Sequence, residues 1–182
     1  VIERATQEWA QRCAALIVES GLTDWKLARR KSANGLGVAP HTPEPSDTHI
    51  IAAIREYNAL YQPNEHRAQI RAQREEALSW MEYFTEFSPK LTGAVAEGWA
   101  HAESEIRIEL VVSDEKTFEI KLVNDDVRFH ALESTYGATH YAIEDADWPL
   151  RVMLLSDRTR GQAKWNAASP RLSIKEVAAL VE

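Results

Sequence analysis

Apolar residues recur at helical spacing through the first half of the chain and at every second position in parts of the second. Between residues 2 and 20, Ala5, Trp9, Cys13, Leu16 and Ile17 share one helical face, and Gly21 suits the residue that closes a helix. Asp24 to Ala33 predicts a second helix stopping near the Asn-Gly-Leu-Gly stretch at 34–37, so that the two make a helical hairpin. Three prolines between Ala39 and Asp47 mark a linker over 39–46. Ser46 or Asp47 then caps a helix carrying Ile50, Ile51, Ile54, Tyr57 and Tyr61 on one side. Gln62-Pro63-Asn64 interrupts it, and a longer helix is expected from about Glu65 to Phe87, striped by Ala77, Met81 and Phe84 and stopped at Ser88-Pro89.

Beyond this point the period shortens. Ile106, Ile108, Leu110 and Val112 alternate with Glu105, Arg107 and Glu109, the pattern of a half-buried strand. Phe118, Ile120 and Leu122 alternate too, but Phe118 and Leu122 also satisfy helical spacing, so Thr117–Val123 reads equally as helix or strand. Val127–Leu132 and Leu150–Leu155 predict further strands, and Ser173 with Glu176 forms a capping box for a last helix. Helices first and strands afterwards predict an α+β fold. A helical region over 1–88 is followed by a small mixed-sheet region over 89–182, packed as one unit.

Composition narrows the function classes. The chain has 182 residues, 45% hydrophobic and 27% charged, which fits a folded domain. A net charge of −7 works against nonspecific attachment to nucleic acid or anionic lipid, although a local basic patch can still bind. No apolar run approaches the ~20 residues of a membrane span, and a cytoplasmic protein is expected. One cysteine, Cys13, rules out an internal disulfide or thiolate cluster, and the six histidines lack zinc-site spacing. No Ser-His-Asp arrangement stands out.

Two carboxylates at i and i+2 of a strand point to one face and can share a cation, and a glycine turn just before them lets backbone N–H groups approach phosphate. PKLTGAVAEGWAHAESEIRIELVV, residues 89–112, resembles the nucleotidyltransferase superfamily to which DNA polymerase beta belongs. There a Gly-Ser turn precedes a strand reading Ser-Asp-hydrophobic-Asp. Gly98 stands for the motif glycine, Trp99 for the serine, and Ser104–Ile108 covers the metal strand. The long helix running into Phe87-Ser88-Pro89 is similar to that of a bacterial family of nucleotidyltransferase-like proteins. The resemblance implies a nucleotide ligand and, in an active version, Mg²⁺ on Glu105 and phosphate at Gly98; Glu109, one step farther along the same face, is a substitute for the second acid and not a match to the motif, and Arg158 or Arg160, clustered after the last strand, would support the triphosphate. Arg107 places a cation where the second metal ligand belongs, and Leu150–Leu155 offers Arg151 and Met153 where a third carboxylate is expected. The expectation is therefore a degenerate site with transfer activity lost or altered. No Gly-Lys-Ser/Thr loop is present, so ATP-dependent ligation is not expected.

Two other readings stay open. Alternating charge is what any sheet with one wet face shows, and Glu105, Arg107 and Glu109 can simply pair with neighbours. Separately, Arg67, Arg71 and Arg74 at i, i+4 and i+7, with Lys26, Arg29 and Arg30, outline a basic helical face on which a non-enzymatic module would bind nucleic acid or a protein partner. Glu65, Glu75 and Glu76 offset that stripe.

Overall fold

The computed structural model describes residues 2–61, 63–135, 138–156 and 170–182. The chain divides into two compact units, 1–69 with 101–103, and 70–100 with 104–182.

In the first unit, α1 (Ile2–Ser20) and α2 (Trp25–Leu36) form the expected hairpin. The Trp9 indole N–H donates to Arg29 O and Ser32 Oγ at 3.1 and 3.0 Å, and Cys13 Sγ lies 3.0 Å from the same hydroxyl. Burial pushes the Cys13 thiol above its ordinary pKa, as expected of a thiol packed as a small hydrophobe. α2 ends within the Asn-Gly-Leu-Gly stretch, as expected, but three residues past Ala33. Gly35 stays helical, since one interior glycine costs only about 1 kcal/mol, and the stop comes at Gly37, whose φ of 61° forms the left-handed cap.

Arg29 clips the proline linker: its Nε donates to Pro45 O at 2.9 Å, and the guanidinium pairs with Glu44 and Asp47. Ser46 Oγ accepts from the His49 N–H and so caps α3 (Asp47–Tyr61). α3 ends at Tyr61 and a separate helix follows, as expected, but α4 (Pro63–Tyr83) starts at Pro63 itself, the position where a missing N–H costs nothing, and not near Glu65. α4 ends earlier than its apolar pattern suggests, because Thr85–Phe87 tightens into a 3₁₀ turn ending at Ser88, φ 50°.

The second unit is built on a five-stranded sheet in the order β1-β2-β5-β4-β3. The strands are β1 (Lys90–Thr92), β2 (Ile106–Val111), β3 (Phe129–Thr135), β4 (Ala138–Ile143) and β5 (Leu150–Leu155). β2 and β5 are parallel and the other pairs antiparallel, so the sheet is mixed and the fold is α+β. Ile106, Ile108 and Leu110 turn to the same side as Leu150, Val152 and Leu154, and pack with Ala77 and Met81 of α4 and with α6 (Glu115–Asn124). Short α5 (Gly93–Glu97) links β1 to β2, and α7 (Ile174–Val181) starts at the Ser173/Glu176 capping box.

Thr117–Val123 is helix. Phe118 and Leu122 are wholly buried on one side of α6, with the Phe118 ring against Phe84, Phe87 and Tyr141, while Ile120 is 57% exposed. A strand would have put all three on one face. Phe118→Ala is therefore expected to cost about 3–5 kcal/mol in urea unfolding. Ile120→Ala should change stability by no more than about 0.5 kcal/mol, and comparable losses from the two would contradict the helical assignment.

Candidate functional site

β1 turns into α5 at Gly93, where φ is 72° and an added Cβ would lie 3.3 Å from Arg107 Cδ. The glycine set beside the charged strand is thus Gly93. Gly98, at φ 82°, closes α5. Its N–H and those of Trp99 and Ala100 converge on Ala94 O at 2.9, 3.1 and 3.3 Å. Arg74 satisfies the next carbonyls, donating from Nε to Val95 O and from Nη2 to Ala96 O at 3.1 and 3.2 Å. The turn around Gly98 therefore spends its backbone donors internally.

The apolar half of β2 faces the core, which forces its charged half to the other side of the sheet. There the register sets Arg107 directly beside Arg151 of β5, with Thr92 across on β1 and Ala142 beyond Arg151 on β4. Two guanidiniums on adjacent strands repel unless something lies between them. Glu105 does so: its Oε1 accepts from Arg151 Nη2 at 2.8 Å, and its Oε2 lies 3.4 Å from Arg107 Nε. One carboxylate thus serves two cations. His140, opposite Met153 and so on the same face, is only 7% exposed. Its imidazole is held below its ordinary pKa by burial and by Arg151 and Arg107, with Glu105 opposing. Among the described residues, His140 Nδ1 and Arg151 Nε are buried with no hydrogen-bond partner.

Farther along β2, Glu109 is 3% exposed and pairs with Arg171, whose Nε and Nη2 both donate to Oε2. Arg171 is held in place by the chain around it: Leu172 bridges Leu91 of β1, and Lys90 is the register partner of Glu109. Burial raises the Glu109 pKa, and Arg171 opposes that rise.

This set does not fit Mg²⁺. Glu105 and Glu109 are separated by about 13 Å of extended backbone, and each is turned to a different arginine. Arg107 stands between them. Among the described residues no three His, Cys, Asp or Glu side chains gather as a cation site. A divalent ion needs several oxygens at about 2.1 Å, and bringing it here would set it against two guanidiniums.

The remaining expected residues are dispersed. Arg158 and Arg160 lie outside the described residues. On the helices, Lys26, Arg30, Arg67 and Arg71 are exposed, with Arg71 paired to Glu75 at 2.9 Å. Arg29 is engaged by the linker and Arg74 by α5, so neither belongs to a free basic stripe. His101, a loop histidine by sequence, is buried, and burial lowers its pKa. Arg171 and His140 were not legible as site residues, because only the Leu91–Leu172 bridge and the β4–β5 register bring them to this face.

No protein-family model and no curated protein sequence matches the chain. Among solved structures, Cid1 in complex with the UTP analogue UMPNPP is 12% identical with a TM-score of 0.38, over 75% of this chain and 41% of that one. A cytoplasmic RNA terminal U-transferase is 12% identical with a TM-score of 0.32, over 60% of this chain and 29% of that one. A mutant of the Cid1 poly(U) polymerase bound to MgATP gives 13% and 0.37, over 75% and 42%. The chain spans less than half the length of each of these proteins.

The Glu109–Arg171 pair makes a pH-dependent prediction. Arg171→Met strands a buried carboxylate and is expected to cost about 3 kcal/mol at neutral pH. A carboxylate whose pKa is raised in the folded state favours folding when protonated, and that contribution is lost as pH rises from its unfolded to its folded pKa. The Arg171→Met deficit should therefore be full at neutral pH and shrink as pH falls through the folded pKa of Glu109. Glu109→Gln should cost less than Arg171→Met at neutral pH. Guanidinium denaturation at several pH values decides this, and a pH-independent deficit would contradict it.

Proposed function

We propose that this chain is a nucleotidyltransferase-like protein in which metal-dependent transfer has been given up at the Glu105–Arg107–Glu109 face, leaving recognition of a nucleotide or other phosphate compound as its role. Phosphoryl-transfer enzymes supply mainly metal ions and positioned charges. The observation that carries the proposal is the double engagement of Glu105 by Arg107 and Arg151, which occupies both oxygens of the carboxylate the motif retains. Support also comes from the β1–α5–β2 arrangement, in which a segment opened by Gly93 precedes the charged strand, as a glycine turn does in the motif.

A second reading is favoured by a different observation, in the helical unit. Leu36, Leu60 and Tyr61 are exposed and line one open groove of about 590 Å³ on α1, α2 and α3. Glu8, Glu19 and Glu56 stand on that groove with Arg12 as its basic residue, which suits a protein segment better than a nucleic acid. Under this reading the exposed cations Lys26, Arg30, Arg67 and Arg71 are solvated surface, and the sheet is scaffold.

Thermal unfolding against the four ribonucleoside triphosphates, each with Mg²⁺ and with EDTA, tests the first reading. It predicts that any rise in midpoint is the same with and without Mg²⁺. A ligand at ~100 times its Kd stabilises by about 2.7 kcal/mol, or roughly 5–10 °C for a chain of this size. Arg107→Asp should create a Mg²⁺-dependent component absent from the parent. A Mg²⁺-dependent rise in the unmodified protein would overturn the proposal.

A further inference from the structure

Among the described residues, the polar face of the sheet carries more cation than its carboxylates answer. Arg107 and Arg151 are register partners on parallel strands, and Glu105 is the carboxylate that pairs with both. Glu109, the other acid of this strand face, is spent on Arg171. A net positive charge therefore stays at the Arg107–Arg151 junction. The site is partly open, because the Arg107 side chain is 56% exposed while Arg151 and Glu105 are about one-third exposed (31% and 32%).

A second observation points at the same spot. His140 is more than nine-tenths buried on the same face, and among the described residues its Nδ1 has no partner; Arg151 Nε is buried without one as well. Buried polar nitrogens left unpaired cost about 1–3 kcal/mol each, and native structures rarely keep two on one sheet face without a role. The same position on β5, and its neighbour on β2, would repel a cation. What the groups share is an appetite for an acceptor carrying negative charge: guanidiniums offer forked donors matched to phosphate oxygens, and a neutral imidazole can donate from Nδ1 while its other nitrogen accepts.

We infer that Arg107, Arg151 and His140 form a binding site for a phosphate group that needs no metal ion, with Glu105 as the resident anion that the ligand displaces from the two guanidiniums. The inference rests on the reading of this face as one without a metal and adds the residues that bind the phosphate and the displacement of Glu105. The phosphate oxygens take Arg107 and Arg151 as a pair of charge-assisted contacts, and His140, on the same face with its Nδ1 buried, supplies a third donor from its Nδ1–H tautomer as Glu105 withdraws. No bond is made or broken. Inorganic phosphate, pyrophosphate and the phosphates of a nucleotide share this chemistry, and the test separates them.

Glu105 gives the experiment a sign. At a metal site Glu105→Gln abolishes binding; at this site it removes the competing anion and strengthens binding. Isothermal titration of the full chain with inorganic phosphate, pyrophosphate and ATP, each in EDTA and in Mg²⁺, is expected to show binding in EDTA. Pyrophosphate or ATP should bind more tightly than phosphate if the ligand is polyphosphorylated, and equally if one phosphate is read. Glu105→Gln should tighten the Kd several-fold, and Arg107→Gln should weaken it about tenfold or more. Arg107→Lys should recover part of that loss. His140→Phe, which keeps the packing and removes the donor, should weaken binding as well, and Arg4→Gln on α1 should leave it unchanged. Circular dichroism checks that each variant is folded. Absence of binding to all three probes by the folded parent in EDTA, and likewise in Mg²⁺, would overturn this inference and leave the loss of metal-dependent transfer standing. Binding that needs Mg²⁺ and is lost in Glu105→Gln would overturn both.

Discussion

The parallel pairing of β2 with β5 is the constraint on which the second unit depends. Six register pairs, from Ile106↔Leu150 to Val111↔Leu155, lock two strands whose alternate residues are aliphatic, and a slip of one residue would turn every aliphatic side chain out of the core. Because Ile106, Ile108, Leu110, Leu150, Val152 and Leu154 must face α4 and α6, the residues between them have no choice of side. Arg107, Glu109 and Arg151 are on one face as a consequence of hydrophobic burial. The charged constellation is as well determined as the core beneath it.

What that face can do follows from its charge balance. Two guanidiniums side by side on neighbouring strands are unfavourable alone, and Glu105 makes the arrangement tolerable without neutralising it. Glu109 lies deeper, and its ionised form depends on Arg171 reaching it from the segment that Leu172 pins to β1. The sheet therefore holds its carboxylates by arginine, where a metal-dependent site would leave them available to a cation. Nearby, Arg74 and the N–H groups after Gly98 complete the end of α5 internally, which assigns Gly98 a structural task.

The sequence was informative where a local period met a matching partner. β5 falls where Leu150–Leu155 reads as a strand, the Ser173/Glu176 cap is as written, and α1 follows its apolar spacing. Boundaries moved where a residue's local cost was overridden or misjudged: Gly35 was not enough to stop α2, and Pro63 served as a first helical residue. β4 escaped notice because Thr139 and His140 dilute its aliphatic content, and its strand character comes from pairing with both β3 and β5. β1 is too short to carry a period. The charged half of β2 was legible as a pattern, but its chemistry was not. That Glu105 answers two arginines, and that His140 lies on their face, depends on strand order and register that no window of sequence contains. Thr117–Val123 fits two periods, and the aromatic contacts of Phe118 decide between them.

The central claim is that the Glu105–Arg107–Glu109 face holds its charge balance by arginine and takes no divalent cation. Electron paramagnetic resonance of Mn²⁺, titrated with the protein in the absence of nucleotide, addresses it at the metal itself. The account predicts that adding protein leaves the spectrum of aqueous Mn²⁺ unchanged, and that Arg107→Asp introduces a protein-bound species. A protein-bound Mn²⁺ signal in the unmodified chain that disappears in Glu105→Gln would contradict it.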